Sequence, residues 1–143
     1  MNITVMDGSN YFKGLLLLIR KDRKITESEI EMMKRIGKKL GFEKDFCEET
    51  IMEILGNKFM LDTPEEFSSK ELAMKFIKDG LTLALSDDEV HPAEEEWLKL
   101  FAEKNKLDSE WFCSEREKAA KRNSLPVKME VDDLIIIHSK PLI

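Results

Sequence analysis

Two short acidic segments hold the residues best suited to chemistry. The first carries Asp22 and Glu29 on either side of Arg23, Lys24 and Ile25, and the second crowds Asp87, Asp88, Glu89 and Glu94 together. Carboxylates at this density are hard oxygen ligands, and calcium or a similar divalent cation takes about six to eight such oxygens. The Asp-to-Glu separation is too short for an EF-hand, and no D-x-D-x-D-G run occurs. If the two segments face each other, Asp22, Glu29, Asp87 and Glu94 can share one site, with Asp88 and Glu89 adding charge on the second side. The same residues have an ordinary structural use. Glu29 and Glu94 sit where a carboxylate caps a helix and complements its dipole, and an aspartate before a turn is common turn chemistry. Both uses remain open at the level of the sequence.

Catalysis has less to work with. Neither histidine belongs to an H-E-x-x-H string, and His91 has no glutamate three residues before it of the kind di-iron bundles use. His91 instead suits the start of a helix. Nucleophile elbows, phosphate-binding glycine loops and Cys-His pairs are all missing, and Asp79-Gly80 falls inside an apolar helical stripe. Cys47 and Cys113 are too far apart for a C-x-x-C pair and read as small apolar residues in or near the core. The expectation is a protein that binds and does not catalyse.

A basic face is also visible. Lys34, Arg35, Lys38 and Lys39 fall on the exposed side of one amphipathic segment, and Arg116, Lys121 and Arg122 on another. A nucleic-acid contact would use such a stripe, but no base-stacking aromatics accompany it, Glu27 and Glu31 interrupt it, and the net charge is −6. A solvated surface is expected, with no nucleic-acid partner.

The elements that must position these groups are helices. The first is expected from Ser9 to Lys21, with Phe12, Leu15, Leu16 and Ile19 as its buried stripe. Thr26 and Glu29 form a capping box that starts a second helix, which buries Ile30, Met33, Ile36 and Leu40 and stops at Gly41. A third covers Lys44 to Asn57 through Cys47, Ile51, Ile54 and Leu55. The fourth is expected to begin at Thr63 as N-cap, with Pro64 at its first position and Glu66 closing a second capping box. Its stripe is Ala73, Phe76, Ile77, Gly80, Leu81 and Ala84. A fifth starts at Pro92 and packs through Trp97, Leu98 and Phe101, and a sixth from Asp108 to Arg122 is anchored by Trp111 and Phe112. After Pro126 the pattern alternates at Val127, Met129 and Val131 and continues as an apolar run from Leu134 to Ile137, so the tail reads as extended.

An internal repeat organises this series. Displacing the chain by the 65 positions between Asp22 and Asp87 lays Leu18–Glu29 over Leu83–Glu94 in the order apolar helix, Asp, apolar residue, capped helix, Glu. Met33 then matches Leu98, Ile36 matches Phe101, and Phe42 matches Leu107. Over residues 10 to 107 this pattern resembles the TerB family, whose repeats join an alanine-rich helix, a D-G-x-[VI] turn and a glutamate-bearing second helix. The resemblance implies a small helical bundle, a link to tellurite resistance and stress response, and a cation site at Asp22, Glu29, Asp87 and Glu94. The family's turn glycine is Arg23 in one unit and Asp88 in the other, and the Arg23 cation opposes a metal in the first loop.

Composition bounds the rest. An apolar fraction of 42% against 36% charged residues supplies enough surface to bury a core. No segment is long and apolar enough to span a bilayer, and no signal-type run opens the chain, so a cytoplasmic protein without membrane insertion is expected. The reading is therefore an all-α bundle of about six helices over residues 1–126, with an internal two-helix repeat and an extended tail over 127–143. The expected function is that of a TerB-like binding protein of a stress or tellurite/metal-response system, holding a divalent cation such as calcium or docking another protein. The alternative is a protein-interaction or scaffold module without a metal.

Overall fold

Thr4 opens the first helix, well ahead of the start expected at Ser9. Its hydroxyl accepts from the Asp7 amide at 3.0 Å while the Asp7 carboxylate accepts from the Thr4 amide at 3.1 Å. This reciprocal pair satisfies two amides that a helix start leaves without partners. The computed structural model describes residues 1–21, 25–57, 63–84, 91–121 and 128–137. Their order is β1 (Asn2–Thr4), α1 (Val5–Arg20), α2 (Glu27–Lys39), α3 (Lys44–Gly56), α4 (Lys70–Ala84), α5 (Pro92–Lys104), α6 (Ser109–Ala120), a 3-10 turn (Glu130–Asp133) and β2 (Ile135–Ile137). The fold is the expected all-α bundle with six helices among the described residues. None of them is long and apolar enough to cross a membrane.

The α1 helix packs against α2, α3, α4 and α5, and α4 packs in turn against α5 and α6. Tyr11, Phe12, Leu15, Leu16, Leu18 and Ile19 on α1 are fully buried, as are Leu72, Ala73, Phe76 and Ile77 on α4. Each large side chain so buried contributes about 1.5–3 kcal/mol relative to exposure. At the centre is a cluster of rings. Phe76 stacks on Phe101 at 4.3 Å, meets Tyr11 edge-on at 5.3 Å, and lies 6.0 Å from Trp97.

The start of α4 corrects the sequence expectation. Thr63, Pro64 and Glu66 do not cap a helix, because residues 63–67 form no regular element and the helix begins at Lys70, with the Leu72 amide donating to Ser69 Oγ at 3.1 Å. Asn105 accounts for the difference. Its Oδ1 accepts from the Phe67 amide at 2.7 Å, and its Nδ2 donates to the Glu65 carbonyl at 3.0 Å. These two bonds tie the backbone of Glu65 and Phe67 to α5, while the Phe67 ring enters the aromatic cluster 4.9 Å from Phe101. The expected stripe from Ala73 to Ala84 is buried.

Helix boundaries keep the 65-residue displacement that separates Asp22 from Asp87. Glu27–Lys39 and Pro92–Lys104 are offset by this number at both ends, and α3 and α6 at their starts, Lys44 and Ser109. The turns match as well. Gly41 at φ +86° and Lys106 at φ +56° are the two left-handed residues among those described. Gly41 donates to the Lys38 carbonyl and Phe42 to that of Gly37, and at the displaced positions Lys106 donates to Glu103 and Leu107 to Ala102. Both helices therefore end in the same left-handed turn, and only the first has the residue type that suits it. Lys106→Gly is expected to raise the unfolding free energy by about 0.5–1 kcal/mol, because a side chain with a Cβ is disfavoured there. A higher urea midpoint with unchanged slope is the readout.

The tail folds back on its own bundle. Met129, Val131 and Leu134 are buried. Val127 lies outside the described residues, and a 3-10 turn interrupts the expected extended run. Strand β2 pairs in parallel with β1, placing Ile136 opposite Ile3. The run from Leu134 to Ile137 alternates instead of being buried throughout: Ile135 is 61% and Ile137 54% exposed. A two-stranded ribbon covers only one face, so every second residue is left outside. The cysteine expectation is half corrected too, since Cys47 is buried and Cys113 is exposed.

Candidate functional site

Of the six acidic residues singled out in the sequence, Asp22, Asp87, Asp88 and Glu89 lie outside the described residues. The other two are placed alike. Glu29 and Glu94 occupy the third positions of α2 and α5, and each is 2% exposed. Burial at this level is uncommon for glutamate, because taking a carboxylate out of water is costly unless it is paired or hydrogen-bonded.

Part of the compensation at Glu29 is explicit. Its Oε1 accepts from the Thr26 amide at 3.1 Å and from the Thr26 hydroxyl at 3.2 Å, while Thr26 Oγ1 accepts from the Glu29 amide at 3.1 Å. This is the capping box expected from the sequence. In α5 the N-cap is His91, whose Nδ1 accepts from the Ala93 amide at 3.1 Å. The imidazole therefore does at α5 what the Thr26 hydroxyl does at α2. Both glutamates also sit in a first helical turn, where the helix dipole favours negative charge. Among the described residues, no three His, Cys, Asp or Glu side chains gather as a metal cage.

Sequence reasoning missed a heavily bonded carboxylate. Asp79, 1% exposed in the middle of α4, accepts from the Tyr11 hydroxyl at 2.6 Å, the Glu130 amide at 2.8 Å and the Val131 amide at 2.9 Å. It joins α1, α4 and the 3-10 turn at one point. Burial outweighs these three donors and raises the Asp79 carboxyl to about 6. Burial, and then the neighbouring Asp79 charge, push the Tyr11 hydroxyl well above the usual phenol range. The available signal was an aspartate in an apolar stripe, between Phe76, Ile77 and Gly80, Leu81, whose nearby lysines, Lys75 and Lys78, pair with Glu130 instead. Such a residue must find a partner from elsewhere in the fold.

Around Asp79 the charged groups are arranged in pairs. Lys75 Nζ lies 3.3 Å and Lys78 Nζ 3.7 Å from the Glu130 carboxylate, and Arg35 Nη2 lies 3.1 Å from Asp132 Oδ2. With three donors already on its two oxygens, Asp79 has an anchoring geometry, not that of a general base open to a substrate. No family model, curated protein or solved structure matches this chain.

Proposed function

We propose that this chain is a non-enzymatic, TerB-like binding protein of a stress or tellurite/metal-response system, acting in the cytoplasm, and that its two acidic loops hold a hard divalent cation such as calcium. The observation that supports this reading is the matched burial of Glu29 and Glu94, one at the head of each second helix. Each lies a few residues after an acidic segment, so Asp22 and Glu29 on one side and Asp87, Asp88, Glu89 and Glu94 on the other supply a carboxylate set suited to calcium. Asp88 and Glu89 weight the second loop, and Arg23 opposes the first.

The bonds from Thr26 to Glu29 favour a second reading, in which the acids only cap helices and the bundle is a protein-interaction module without a metal. Calorimetric titration with calcium, magnesium and manganese separates the two. The cation reading expects heat in the full chain and a melting temperature that rises with metal by mass action. It also expects both effects to vanish in an Asp87→Ala, Glu94→Gln variant that still melts cooperatively without metal. Silence at about 1 mM metal, where weak calcium sites are already filling, leaves the capping reading in place.

A further inference from the structure

The face between α2 and α3 reverses the sign of the chain. In a protein of net charge −6, a groove of about 610 Å³ is bordered by Lys34, Arg35, Lys38 and Lys44. Among the described residues, the acids on its border are Glu31 and Glu48. They hold Lys34 and Lys44 loosely, at 3.7 Å and 3.9 Å, between side chains that are largely in water. Exposed pairs of that length contribute little. Lys38 is exposed and has no ion pair among the described residues.

Beneath the cations the groove is apolar. Phe42 and Cys47 line it. The Phe42 ring is fixed between Phe12 at 5.9 Å and Phe46 at 5.1 Å. Cys47 is only 4% exposed, and burial together with the Glu48 charge pushes its thiol up, so it stays neutral. The volume falls within the roughly 300–1,000 Å³ usual for small-molecule sites. An apolar floor below a cationic rim fits a molecule with the opposite arrangement, one anionic head on a hydrocarbon body. A single-chain amphiphile satisfies both parts at once, its head on the rim and its chain on the floor.

We propose that the groove between α2 and α3 binds a single-chain carboxylate amphiphile of the fatty-acid class, its head among Lys34, Lys38 and Lys44 and its chain on Phe42 and Cys47. This groove shares no lining residue with the proposed cation ligands, and the inference stands whether or not they hold a cation.

The probe is decanoate below its micellar concentration, titrated into the full chain by calorimetry and followed by amide shifts in α2 and α3. Saturable binding of one decanoate per chain is expected, with no comparable binding of acetate, which lacks the chain, or of decyltrimethylammonium, which reverses the head. A Lys34→Glu, Lys38→Glu variant changes only surface side chains and is expected to weaken binding by about tenfold or more. Phe42→Ala, checked for folding by circular dichroism, removes the ring on which the chain lies and is expected to weaken decanoate binding. The proposal is overturned if decyltrimethylammonium binds as tightly, if acetate binds as well as decanoate, or if the double charge reversal has no effect. It is equally overturned if no saturable heat appears by about 1 mM ligand. Binding of an acidic helical peptide in place of decanoate overturns it too, in favour of a protein partner.

Discussion

Asp79→Ala is expected to lower the unfolding free energy by about 3 kcal/mol or more near pH 4, since it strands the Tyr11 hydroxyl and two backbone amides at a buried point. The loss should be smaller at pH 7, and the sign follows from linkage. The carboxyl of Asp79 is raised from 3.8 to about 6, so the folded state holds its proton more tightly than the unfolded chain. The stability this provides is fully present below the unfolded value and fades as pH rises through about 6, by about 3 kcal/mol for a shift of this size. Asp79→Asn keeps the shape and cannot ionise. It should cost less than alanine and remove this part of the pH slope. Urea titrations of the three proteins across that range give the comparison, and a wild-type slope that survives in Asp79→Asn would assign it to other groups. Hydrogen exchange should show residues 128–137 opening first in Asp79→Ala, because the 3-10 turn loses both amide contacts at once.

Removing residues 127–143 is the second large perturbation. Met129, Val131 and Leu134 leave the core, each contributing about 1.5–3 kcal/mol by burial, for a total of about 5 kcal/mol. Ile3 and Asp79 lose their cover in the same step, as do the contacts of Lys75 and Lys78 with Glu130 and of Arg35 with Asp132. The melting temperature should fall substantially while the mass by light scattering stays the same, because the tail closes on its own bundle. A full-length dimer that becomes a folded monomer on truncation would make the tail an assembly element instead.

Local signals were the legible part of the fold. The Thr26 and Glu29 exchange, the left-handed turn at Gly41 and Pro92 at the head of α5 depend on residues within a few positions of one another, and each is where its sequence placed it. The failures share a cause. Thr63, Pro64 and Glu66 satisfy every local rule for a helix start, yet Asn105, some forty residues away, pairs with that backbone instead. Asp79 is chosen by Tyr11 and the tail, both distant in sequence. Thr4 and Asp7 were a local signal that went unused, hidden by the weak periodicity of the residues that follow. For the candidate site, spacing identified Glu29 and Glu94 as first-turn residues but not as buried ones. Burial depends on what packs over a helix start, and no local pattern encodes that.

The parallel ribbon also sets an order of events during synthesis. Asn2 faces Ile135, so β1 is made 133 residues before its partner. Throughout translation β1 must wait with its edge unpaired while α1 to α6 assemble behind it, since the helices depend on nearer neighbours. The closing step joins segments 133 residues apart. Its entropic cost is modest once the bundle has already brought them together, because the loop left to close is then short. Anything that delays β2, such as a pause in translating the residues before it, prolongs the interval in which the edge of β1 is open to other chains.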